Sequence, residues 1–329
     1  MPGAKDLPTV LQPLAEDMTR VEAAYRDILG GVSARSQDVI QQSAAFAGKR
    51  LRPGLTLLSA RICEGRVRED VATVAAVIEL IHTATLVHDD ILDAADVRRQ
   101  IATVNARFGE QAAVLAGDVL FSRAYRAAAY LDDPFAARYL SDVVGEVLEG
   151  EIHQDLVAHN ATLKEDDYRA IIRGKTAALY EGALRVGAHY ARGTPEQVDA
   201  LGRFGHHLGM AFQIVDDHLD LAGQEEVVGK SLGRDLAEGK TTLPVILWRD
   251  ALSEEDRAAA LKRIEAAWQD EDASASLIAT LRESGAFARS AAAAEYEITC
   301  ARACLETLPA CPEIDLLRSI ADYVRRRTR

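Results

Sequence analysis

Apolar residues recur three and four positions apart along almost the whole chain, and no stretch alternates well enough to form a half-buried strand. The pattern predicts helix after helix, at 8–29, 37–46, 53–63, 70–93, 109–131, 136–158, 166–190, 195–222, 242–251, 253–267, 285–307 and 313–326. One start is well marked: Thr194, Pro195 and Gln197 form a capping box with proline at the first helical position, and Gly223 supplies the stop. Residues 223–241 have no apolar period and hold Gly229, Gly233 and Gly239 among charged residues, so they read as a loop. The fold class is therefore all-α. No linker, repeat or low-complexity tract divides the 329 residues, which are expected to form a single domain, 1–329.

Composition supports this picture, with 48% apolar and only 5% aromatic residues. The longest apolar segment, 71–87, contains Glu79 and His82 and runs straight into Asp89 and Asp90. It reads as a buried helix and not as an integral membrane segment. The net charge of -13 argues against a nucleic-acid partner, because such surfaces are broadly basic. The opening stretch lacks the basic and apolar regions of a secretory signal, so a cytoplasmic location is expected. Cys63, Cys300, Cys304 and Cys311 match no structural zinc module and read as thiols without a function.

Charge changes the picture most at Asp89, Asp90 and Asp93, where a carboxylate cluster closes an otherwise apolar helix and calls for a cation. At one hundred degrees per residue, His82, Thr85, Asp89, Asp93 and Asp96 share one side of that helix. Asp216, Asp217 and Asp220 repeat the spacing near the end of the helix that starts at Pro195. There Gly202, Gly205, Gly209, Gln213, Asp216 and Asp220 share a face, bare at its start, which leaves room for a long apolar guest or for a close helix. Carboxylates four apart on a helix project together, and two such pairs supply the hard oxygen ligands that Mg²⁺ accepts alongside water and substrate phosphates. A single such segment is as often a solvated helix end; two of them in apolar helices are a stronger signal.

Positive residues stand in short groups beside glycine or proline: Lys49, Arg50 and Arg52; Arg98 and Arg99; Lys175 with Thr176; and Lys230, Arg234 and Lys240. Any one group is more often solvated surface, but together with the carboxylates they suit a diphosphate, whose departure metals and cations both assist. No nucleotide-binding fingerprint is present.

In order, GKRLRP, HTATLVHDDILDAADVRR, GKT, FQIVDDHLDL, GK and GKTTLP span residues 48 to 244 and closely resemble the trans-isoprenyl diphosphate synthases, the polyprenyl synthetase family. The resemblance implies a terpenoid-synthase-type helical bundle around a deep central cavity, usually in a homodimer, that uses two to three Mg²⁺ ions. It implies a prenyltransferase that condenses isopentenyl diphosphate with an allylic diphosphate, with no covalent enzyme intermediate. By similarity Asp89, Asp90, Asp93, Asp216, Asp217 and Asp220 make up the metal site. Arg98, Lys175, Lys230 and Lys240 bind the allylic diphosphate, and Lys49, Arg52, His82 and Arg99 bind isopentenyl diphosphate. Thr176 and Gln213 lie beside the reacting carbons, and Asp89, Asp93, Lys175, Asp216 and Lys240 carry the catalysis.

The family's double glycine is Ala47–Gly48 here, and the glycine that often follows the paired arginines is Gln100. The small residues Ala84 and Thr85 precede the first aspartate segment where bulkier ones keep products short, which implies a product beyond twenty carbons; its handover to a membrane is compatible with that. The alternatives are a short-chain farnesyl or geranylgeranyl diphosphate synthase and a non-catalytic subunit of the same fold. A di-iron bundle, prompted by Glu79 and His82, lacks its second motif.

Overall fold

The computed structural model describes residues 7–33, 36–44, 48–223 and 233–327. Helices dominate it: α1 Leu7–Leu11, α2 Ala15–Leu29, α3 Gln37–Ala44, α4 Leu51–Glu64, α5 Glu69–Leu92, α6 Val104–Phe108, α7 Glu110–Ala129, α8 Phe135–Leu156, α9 Glu165–Ile172, α10 Ala178–Tyr190 and α11 Pro195–Ala222 come first. They are followed by α12 Arg234–Ala237, α13 Leu243–Asp250, α14 Glu254–Ala267, α15 Glu271–Glu283, α16 Ala286–Leu305 and α17 Pro312–Arg326. The only strands among the described residues are β1 Val97–Arg98 and β2 Ile101–Ala102, an antiparallel pair.

The chain forms two compact units. The first comprises 1–144, 182–202 and 308–317; the second comprises 145–181, 203–307 and 318–329. In the first unit α5 is the central helix, packed against α2, α4 and α7. Residues Val71, Val74, Ile78, Ile81, Ala84 and Val87 are shut off from solvent, so the apolar surface of α5 drives folding of this unit. Among the described helices α5 alone is long and apolar enough to cross a membrane, and 72% of its apolar window is buried within the protein. Helix α7 approaches it closely because the buried face of α7 carries Ala113, Ala116, Gly117, Ala124 and Ala128. The second unit closes over a core of Leu221, Val245, Trp248, Ile264, Leu277 and Leu281.

Local chemistry explains where the elements depart from the periodic pattern. Pro13 splits the helix expected over 8–29, leaving a 3-10 turn at Gln12–Leu14. The helix expected over 166–190 is interrupted by a π-helical turn at Arg173–Ala177. Helix α15 had no counterpart in the pattern, because only the buried Leu277 and Leu281 mark its inner face among alanines and serines. Its start is nonetheless encoded: the Asp270 side chain accepts from the Ala273 N–H at 2.7 Å. The capping box at α11 forms as expected, with Thr194 N–H donating to Gln197 Oε1 at 2.9 Å and Gln197 N–H to Thr194 Oγ1 at 3.3 Å.

The bare face of α11 is taken by a close helix and not by space for a guest. A Cβ on Gly209 would lie 2.6 Å from the Ala177 Cα, and one on Gly202 would lie 2.4 Å from Arg185 Nε.

Candidate active site

In the first unit, Asp89 and Asp93 sit half-buried on one side of the end of α5. Asp90 lies a hundred degrees round the helix, is 1% exposed, and accepts from Arg98 Nε at 2.7 Å. That ion pair fastens the β-hairpin to α5. The hairpin pairs Arg98 with Ile101, so Arg99 and Gln100 form its two-residue loop, with φ of 52° and 66°. Positive φ at both loop residues marks a type I′ turn, which suits the twist of a tight hairpin but strains residues other than glycine or asparagine. The turn directs the Arg99 guanidinium against Gly48, where a Cβ would lie 2.4 Å from Nη1. Ala47 lies outside the described residues.

His82, one turn below Thr85 and Leu86 on α5, accepts at Nε2 from Arg52 Nη1, 3.0 Å away. Loss of hydration, and then the guanidiniums of Arg52, Arg99, Arg98 and Arg50, hold its pKa well below 6.5. The ring is therefore neutral, with its proton on Nδ1. Arg52, His82, Arg98 and Arg99 thus form one electropositive cluster, and Lys49 lies in the segment that leads into α4. Arg50 adds its charge to this cluster but is held by two carboxylates. Held at a φ of 51°, Arg50 donates to Glu79 Oε1 at 2.7 Å and to Glu22 Oε1 at 2.8 Å. Glu79 is therefore the partner of Arg50, and the pair locks α2, α4 and α5 together.

The second unit presents the end of α11. Asp216 Oδ1 lies 2.6 Å from Arg327 Nη1, and that guanidinium is centred 5.0 Å over the Phe212 ring. Asp220 Oδ2 accepts from the Asp235 N–H at 3.1 Å, and burial raises the Asp220 pKa. Asp217 is 7% exposed. Its Oδ2 accepts from the Tyr168 hydroxyl at 2.6 Å, and its Oδ1 from Gln213 Nε2 at 2.7 Å. Burial pushes this carboxyl up to about 6 in spite of both donors. Gln213 Oε1 in turn accepts from Thr176 Oγ1 at 2.7 Å.

Thr176 and Lys175 stand on the π-helical turn, and that turn is seated by glycines. A Cβ on Gly150 would lie 2.6 Å from Lys175 N, and one on Gly174 would lie 2.7 Å from Glu146 O, so two backbones touch with no side chain between them. Lys175 Nζ donates to Glu151 Oε2 at 2.9 Å, and Lys240 Nζ pairs with Glu238. Tyr168, Lys175, Gln213, Asp217, Asp235 and Lys240 line a cavity of ≈ 70 Å³. Lys230 lies outside the described residues.

Tyr168, Glu151, Asp235 and Arg327 are additions that periodicity did not supply. Asp235 had a signal, as a carboxylate between Arg234 and Lys240 in the glycine-rich stretch. Burial, and then Asp217 and Asp220, raise it well above the usual carboxylate range.

These groups suit a hard divalent cation. Within the second unit Asp217, Asp220 and Asp235 crowd one another, and at Asp216 a guanidinium already supplies positive charge. Among the described residues no three metal-binding side chains converge to hold an ion by themselves. An ion here would therefore take further oxygens from water and substrate, which is the habit of Mg²⁺.

The family profile described as polyprenyl synthetase matches residues 34–281. The all-trans-nonaprenyl-diphosphate synthase (geranyl-diphosphate specific) of Rhodobacter capsulatus is 39% identical over 237 residues, 72% of this chain and 73% of that protein. Octaprenyl diphosphate synthase of Escherichia coli (strain K12) is 39% identical over 234 residues, 70% of this chain and 72% of that one. The crystal structure of a decaprenyl diphosphate synthase from Rhodobacter capsulatus is similar with a TM-score of 0.91 at 36% identity, covering 98% of this chain and 100% of that one.

Proposed function

The chain belongs to the polyprenyl synthetase family, a family of prenyltransferases, and on that premise we propose that it elongates an allylic diphosphate with isopentenyl diphosphate, head to tail and in trans geometry, beyond twenty carbons. The observation that carries this reading is that two apolar helices each end in a pair of carboxylates four residues apart, with cations nearby in the same unit. Asp89, Asp93, Asp216 and Asp220 are the proposed Mg²⁺ ligands. Asp90 and Asp217 are withdrawn from that set: Asp90 is buried against Arg98, and both Asp217 oxygens accept from protein donors.

Bound Mg²⁺ would offset the charge that develops on the departing diphosphate. Lys175 and Lys240, with Lys230, hold that diphosphate as point charges. Arg52, Arg99 and Lys49 grip the diphosphate of isopentenyl diphosphate, which His82, being neutral, joins as a hydrogen-bonding group. The isopentenyl double bond attacks the allylic cation, and the proton then lost passes to the released diphosphate.

A long product is supported by the small Ala84 and Thr85 just before the first aspartate pair and by the names of the nonaprenyl and octaprenyl relatives. We read the two units as one catalytic domain in a cytoplasmic homodimer. The dimer reading is supported by Leu148, Ile152 and Leu156, which form an exposed apolar row along α8. Incubation with Mg²⁺, farnesyl diphosphate and labelled isopentenyl diphosphate, followed by chromatography of the dephosphorylated products, tests the function. Products of thirty carbons or more are expected. Products stopping at fifteen or twenty would make it a short-chain synthase, and no elongation from any allylic primer would make it a non-catalytic subunit.

A further inference from the structure

We propose that Asp217 is a positioning residue that fixes the polarity of a hydrogen-bond relay ending at Thr176, so that the Thr176 oxygen turns its lone pairs toward the reacting allylic carbons. The inference rests on the reaction proposed above.

The direction of the relay follows from chemistry. A carboxylate only accepts, so Gln213 must turn its NH₂ toward Asp217 Oδ1, 2.7 Å away. Its carbonyl is then left facing Thr176, and only the Thr176 hydroxyl proton can satisfy it, at 2.7 Å. Tyr168, a phenol 3% exposed, holds the other carboxylate oxygen at 2.6 Å and keeps Asp217 from rotating. Every donated proton therefore points toward Asp217. The group dipoles add, with their negative ends away from it, and the last atom is a hydroxyl oxygen whose proton is already committed.

A carbocation is stabilised by fixed negative dipole ends and needs no proton donor, and dipoles already aligned require no reorganisation at the moment of ionisation. The relay is also rigidly placed. Gln213 and Asp217 are four apart on α11, and Thr176 is 6% exposed on the π-helical turn that Gly150 and Gly174 seat against α8. Such turns often mark functional positions.

Asp217→Asn preserves shape but reverses the relay. Its amide keeps the Tyr168 bond through Oδ1 and presents NH₂ to Gln213, which must flip, so that the Thr176 proton is driven outward. The expected result is a fall in kcat of roughly a hundredfold or more, with KM for both diphosphates within about threefold. Mn²⁺ binding in the presence of inorganic diphosphate, read by electron paramagnetic resonance, should be unchanged, whereas Asp216→Asn weakens it. Thr176→Val should lose a similar factor, and combining it with Asp217→Asn should add little, because both act through one oxygen. Tyr168→Phe leaves the direction intact and should lose less than about tenfold.

Wild-type kcat in Asp217→Asn, additive losses in the double variant, or loss of Mn²⁺ affinity matching Asp216→Asn would each overturn the inference. Should Asp217→Asn not fold, Gln213→Met cuts the relay in its middle. It then falls to the level of Thr176→Val, and adding Thr176→Val costs little more, if the relay acts, whereas losses that add overturn it. Absence of elongation by the wild-type protein is a separate outcome that removes the underlying reaction, whatever the variants do.

Discussion

Gln100 sits at a φ of 66° in the loop that aims Arg99, a conformation that costs an ordinary residue about 1–2 kcal/mol. Gln100→Gly relieves that strain and loosens the unfolded chain, so a net stabilisation of about 1 kcal/mol is expected, read from the urea midpoint at constant slope. Nothing in the apolar pattern announced this hairpin, because strands of two residues are too short to alternate. The missing glycine was legible only through the family resemblance. Arg50 was likewise indistinguishable in the sequence from Lys49 and Arg52, the neighbours proposed to bind phosphate. Its side chain is 13% exposed and that of Glu79 is 7%, so Arg50→Met strands a buried carboxylate and should destabilise the protein by about 3–5 kcal/mol. A double-mutant cycle with Glu79→Leu should recover much of that loss. By contrast, Asp89→Ala should leave the urea midpoint nearly unmoved and lower turnover about a thousandfold, roughly 4 kcal/mol of barrier. Turnover within threefold of wild type would remove Asp89 from the proposed metal site.

At the scale of elements, the three-and-four spacing revealed nearly every long helix, because each has one side against a core. What it could not show is where main-chain geometry changes inside a run that stays apolar throughout. The π-helical turn at Arg173–Ala177 is such a place: Ile171, Ile172, Ala177 and Ala178 keep the rhythm on both sides while the backbone slips between them. Helix α15 escaped for the opposite reason, since its alanines and serines carry too little contrast. Its cap was readable in hindsight at Asp270. Helix α5 joins the core to the site, and His82 gives it a measurable pH signature. The folded state prefers the neutral ring, whereas the unfolded chain takes up a proton near 6.5. Stability from this residue is therefore complete above pH 6.5 and is lost as pH falls below it. Urea midpoints at pH 7.5 and 5.5 should diverge more for wild type than for His82→Gln.

For the whole molecule, charge and composition excluded partner classes but could not say which apolar residues stay outside. Ile152 and Leu156 are 59% and 77% exposed, and paired change of both to Glu is expected to convert a dimer to monomers in sedimentation velocity. An unchanged sedimentation coefficient would place the dimer contact elsewhere. The touching backbones at Gly150 and Gly174 carry a different kind of consequence. When two side chains meet, a change in one can be answered by a change in the other, and the pair can drift together through many generations. Where the neighbour is a peptide unit, nothing is encoded that could give way, so no second-site revertant is available at the point of contact. In a survey of every single substitution along this chain, positions 150 and 174 should appear as isolated gaps that no genetic background fills. Gly145, on α8 with Gly150, has nothing within 4 Å of its absent Cβ within its own chain, so no peptide unit there forbids a side chain.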